Sequence, residues 1–188
     1  MTAGAGESLL GRVVSSIAGS SEPSSRQKSI FSQAAASFGR RPTGAESTIP
    51  TGFDPQAASL FEAVIEAAFL VANADGVFDD TERDTFERVV AEACRNSVRP
   101  GSLHALVSDL LEQFEEDGLE RRVQMVASVV HSQEHKTEVL RIAALMAHIS
   151  GGVHDSERRV MDKLAGAFGL GSDVVTQALT HARQALDG

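Results

Sequence analysis

From Phe53 to the C-terminus, apolar residues recur every three or four positions, and no stretch alternates apolar with polar in the manner of a strand. This periodicity predicts an all-α protein. Leu60, Phe61, Val64, Ile65, Ala68, Phe69, Val71 and Ala72 trace one wide apolar stripe. A second, through Phe86, Val89, Val90 and Ala93, ends before Pro100-Gly101, and a third, from Leu103 to Phe114, stops at Asp117-Gly118. Four more follow, over Val123–Val130, Val139–Ile149, Val160–Phe168 and Val174–Leu186. Proline removes a backbone donor and glycine frees φ, so these breakers end helices. Residues 53–188 are therefore expected to form a compact bundle of about seven helices with short loops.

Residues 1–52 have a different character. They are rich in Ser, Gly and Ala, contain Pro23, Pro42 and Pro50, and hold five basic against three acidic side chains. Residues 53–188 carry 12 basic and 23 acidic ones. A stretch so poor in apolar surface does not offset its chain entropy, which predicts a mostly disordered tail. Within it, Leu9, Leu10, Val13, Val14 and Ile17, and then Ile30, Phe31, Ala34, Ala35 and Phe38, keep helical spacing beside basic residues. Such segments either fray in solution or fold on a partner or an anionic surface. The first is not a secretory signal, because no charged region precedes it and Gly11-Arg12 interrupts its apolar run.

Charge and composition exclude several classes. The net charge of −9 argues against a general nucleic-acid binder, which needs clustered Lys and Arg. No apolar run is seen to approach the roughly 18 residues of a membrane-spanning helix. The single cysteine, Cys94, forms no internal disulfide, so a reducing, cytoplasmic setting is expected. Its thiol is read either as a nucleophile or, more simply, as a small buried apolar group. His131-Ser-Gln-Glu134-His135 matches an inverted zinc-protease pattern, with Glu138 one turn on, but straddles a helix junction. Glu112, Glu115, Glu116, Asp117 and Glu120 read as a solvated acidic surface or a landing site for a basic partner.

The chain also repeats itself at an offset of 75 residues. Gly76-Val-Phe-Asp-Asp80-Thr-Glu82-Arg83 meets Gly151-Gly-Val-His-Asp155-Ser-Glu157-Arg158, and the apolar flanks agree in character. Each copy reads as a helix, a tight acidic turn and an amphipathic helix, so a pseudo-twofold pair of hairpins is expected. The run Ala72-Asn-Ala-Asp-Gly-Val-Phe-Asp-Asp-Thr-Glu-Arg83 resembles the signature turn of the TerB-like tellurite-resistance family, and residues 145–170 resemble its later hairpin. The resemblance covers about 60–185. It implies an all-helical bundle, a metal site in the acidic turns and a role in resistance to tellurite and other stresses, and it does not imply an enzyme.

Two uses of the acidic turn stay open. Asp75, Asp79, Asp80 and Glu82 lie within eight residues, and Gly76 would reverse the chain so that they converge. Crowded carboxylates are relieved by a hard divalent cation: calcium, magnesium or manganese. Alternatively, Asp79 and Glu82 form a capping box and the acids only start a helix. In the second turn Ser150 replaces Asp75 and His154 replaces Asp79. With Asp155 and Glu157 that makes a weaker, softer and pH-sensitive candidate. The expected function is a non-enzymatic stress-resistance module that holds a cation and acts through protein partners at the inner face of a membrane. The alternative is a metal-free helical adaptor recruited through its N-terminal amphipathic segment.

Overall fold

The computed structural model describes residues 3–18, 30–42, 52–95, 97–149 and 153–187, with side chains from residue 9 onward. Among them lie eight helices and no strand: α1 Ala3–Ile17, α2 Ile30–Phe38, α3 Pro55–Ala72, α4 Asp80–Ala93, α5 Pro100–Val129, α6 Gln133–Ala147, α7 Asp155–Ala167 and α8 Ser172–Asp187. The fold is built round α3. Asp54 caps it, Oδ1 accepting from the amides of Gln56 and Ala57, and Pro55 opens it with φ already set. Nearly every later residue of α3 is buried, because α2, α5, α6 and α7 all pack on it.

By length and composition α3 could cross a membrane, at 18 residues and mean hydropathy 1.3. The sequence reading missed this because Glu62 and Glu66 break the visible apolar run. With 67% of that stretch buried inside the fold, its apolar surface already has a protein partner.

Helix α5 contains the two stripes read on either side of Asp117-Gly118. Gly118 adopts φ 73° and ψ 169°, a conformation that favours glycine, and divides the helix into two arms. Counting each arm, the described residues from 53 onward hold the expected seven helices. α3 and α6 end at Ala72 and Ala147, and α4 and α7 begin at Asp80 and Asp155, both pairs keeping the 75-residue offset.

The first 52 residues depart from the expectation of a mostly disordered tail in two places. Both amphipathic stretches are helices docked on the chain's own core. Phe31 and Phe38 of α2 pack on Phe61 of α3, with ring centroids 5.6 and 4.9 Å away. Ser37 Oγ donates to the Asp54 carbonyl at 2.8 Å and accepts the Asp54 amide at 2.7 Å, joining α2 to the start of α3. Val13 and Ile17 of α1 are buried, and Arg141 of α6 donates to the Ser16 carbonyl at 2.8 Å. The remainder of the tail, residues 19–29 and 43–51, lies outside the described residues.

Candidate functional site

The first acidic turn begins where α3 ends. Asn73, buried, closes the helix, and Gly76 at φ 81° reverses the chain as its sequence position predicts. Asp75 Oδ1 then accepts the Val77 amide at 3.0 Å. Phe78 turns inward, edge-on to Phe69 and Phe86 at 5.3 and 5.9 Å, and fixes the loop against α3 and α4. Asp79 caps α4 by accepting the Glu82 amide at 2.9 Å, and Glu82 Oε2 accepts the Asp79 amide at 3.2 Å. This is the capping box, with Asp80 and Glu82 in the first turn complementing the helix dipole.

The four carboxylates are therefore near in sequence but not gathered round a common point. Asp75 and Asp79 each hold a separate amide, and no group of three His, Cys, Asp or Glu side chains among the described residues is placed to hold a metal ion. In the second turn Ser150 and the two glycines after it lie outside the described residues. Glu157 is buried and accepts the His154 amide at 2.6 Å, so it too serves its helix start. His154 and Asp155 are exposed.

The other expected groups resolve into structural uses. Ser132 caps α6 by accepting the His135 amide at 3.1 Å, which leaves His131 before the helix rather than on a face shared with His135. Cys94 is buried, and burial pushes its thiol up to about 12, so at neutral pH it is protonated and unreactive. Of the acidic surface on α5, Asp117 pairs with Arg121 at 3.0 Å and Arg122 at 3.2 Å, and Glu120 pairs with Lys163.

Two arrangements escaped the sequence reading. Glu66, in the buried middle of α3, accepts from Arg122 Nε at 2.6 Å across to the second arm of α5. Burial pushes the Glu66 carboxyl up, against the opposing pull of Arg122. An acid inside an apolar stripe was the available signal, since a buried charge requires a partner. The second is a cavity lined by Arg12, Arg158 and Arg183, together with His148. These residues come from four separated segments, and nothing in their local spacing joins them.

Residues 61–180 match the family model of tellurite resistance protein TerB. No curated protein and no solved structure matches the chain at a significant level.

Proposed function

We propose a function from one premise: the chain belongs to the TerB tellurite-resistance family. It serves in resistance to tellurite and related stresses as a cytoplasmic binding module without catalytic activity, acting through protein partners at the inner face of a membrane. The observation that carries this reading is the extent of the family match, which takes in both helical hairpins. In the adaptor form of the reading, the N-terminal amphipathic segment recruits the partner. Val13, Ile17, Phe31 and Phe38 are buried in the chain's own core, so recruitment through that face requires α1 or α2 to undock. Deleting the gene in its native host should lower the tellurite concentration that stops growth several-fold, and the full chain should restore it. Unchanged tolerance would refute the resistance role and leave the family membership standing.

A second reading, a hard divalent cation at Asp75, Asp79, Asp80 and Glu82, draws on the oxygens the capping bonds leave over. Oδ2 of Asp75 and of Asp79, Oε1 of Glu82 and both Asp80 oxygens have no hydrogen-bond partner among the described residues. As placed, the side chains do not fit a coordination shell, so binding requires Asp75 or Asp79 to release its amide. A ligand that binds only the folded state raises Tm by mass action. Millimolar calcium or manganese should then raise Tm for the native chain and not for Asp75→Asn/Asp79→Asn. An equal shift in both, or none in either, removes the cation and leaves two capping acids.

A further inference from the structure

We infer that the cavity between α1, α6, α7 and α8 binds a small doubly charged oxyanion, gripped by Arg158 and Arg183 beside His148. The cavity measures about 630 Å³, and in a chain of net charge −9 its wall presents three guanidinium groups against one carboxylate, Asp187. Arginine is suited to such a site because its planar fork of donors matches two oxyanion oxygens at once.

The internal repeat explains how one of these arginines comes to face the cavity. In the first hairpin, Arg83 Nε donates to Glu87 at 2.9 Å and its Nη2 to Ser108 at 2.6 Å, so the guanidinium is tied between α4 and α5. Arg158 occupies the equivalent position, and Asp162 replaces Glu87. The shorter carboxylate stays 3.9 Å from Arg158 Nε, beyond hydrogen-bonding range, while Nη2 donates to Thr176 on the cavity wall at 2.9 Å. Arg183 and Asp187 likewise stand 3.6 Å apart. Neither pair saturates its guanidinium.

His148 supplies an independent observation. Its Nε2 is buried with no hydrogen-bond partner among the described residues, although the side chain bonds the Leu179 backbone. A buried polar atom without a partner calls for a water or a ligand in the cavity beside it. The site stands on this geometry and uses none of the acidic-turn carboxylates, so its failure would leave the proposed resistance role untouched.

The test uses the full chain, titrated calorimetrically with sodium phosphate, sodium sulfate and sodium tellurite at an ionic strength held constant with chloride. The expected result is saturable binding of about one oxyanion per chain. In Arg158→Gln/Arg183→Gln the Kd should weaken by roughly tenfold or more, as for loss of charged hydrogen bonds. Both side chains are substantially exposed, at 44% and 78%, so the helical fold should survive, which circular dichroism checks. Arg12→Gln, on a different helix, gives a second variant in which the Kd should also weaken. Phosphate or sulfate binding alone would assign the cavity to tetrahedral anions, and tellurite binding alone to a pyramidal one; either supports the inference. No heat with any of the three, the same response to chloride alone, or undiminished binding in the double variant would overturn it.

Discussion

Single side chains in this protein act mainly on the backbone and on their own protonation. Asp79→Ala removes the α4 cap and should destabilise the chain by about 1 kcal/mol, read from the urea midpoint with or without calcium. That acid was legible in the sequence as a cap and as a ligand alike, because both roles place carboxylates just ahead of a helix; only the geometry separates them. His148 carries no signal in the sequence, since spacing cannot reveal burial between distant helices. Burial pushes its pKa below the ordinary 6.5, Arg183 pushes the same way, and the Leu179 backbone and Asp187 oppose. Arg12 and Arg158 line the same cavity. The folded state thus holds His148 neutral where the unfolded chain binds a proton. Its contribution to stability is fully present above about pH 6.5 and is lost as pH falls through the lower folded value. Urea midpoints for the native chain and His148→Gln at pH 7.5 and 5.5 should show a smaller acid-side loss in the variant.

Between elements, the buried pair of Glu66 and Arg122 sets where the second arm of α5 lies on α3. Asp117 receives Arg122 Nη1 at 3.2 Å from just before the Gly118 break, so one guanidinium links the core helix, the bend and the arm beyond it. Breaking such a pair from one side strands a buried charge, whereas replacing both ends with apolar groups of similar volume is often neutral. Arg122→Met alone should therefore destabilise by about 3–5 kcal/mol, and Glu66→Leu/Arg122→Met by much less, which a double-mutant cycle in urea would measure. A double variant as unstable as the single one would show that the pair's value lies in packing rather than in charge. The break at Gly118 was readable because glycine after an acidic turn marks a helix end. The pairing across it was not, since a contact over 56 residues leaves no periodic trace.

For the whole molecule, the least legible feature was the membership of the N-terminal segment in the core. An amphipathic stripe states that a helix must bury one face and does not say against what; α1 and α2 use this chain's own α3, α4, α6 and α8. The family match starts at residue 61, so both helices precede it, and α2 covers the part of α3 that the match begins in. Residues 53–188 alone should consequently be a weaker protein than the full chain. Removing α1 and α2 uncovers Phe61 and forfeits the burial of Val13, Ile17, Phe31 and Phe38, each about 1.5–3 kcal/mol before ordering entropy is subtracted. Together these rival the 5–15 kcal/mol that holds a typical domain folded. Gly39 offers a subtler version of the same experiment, because a Cβ there would meet the Ser97 carbonyl oxygen at 1.8 Å, far inside contact distance. Gly39→Ala should destabilise by about 1–3 kcal/mol through the strain of moving α2 off Ser97. If the truncated chain instead kept the Tm of the full protein and bound no more of a hydrophobic dye, α1 and α2 would be ornaments on a self-sufficient bundle. Their apolar faces would then be free to serve a partner.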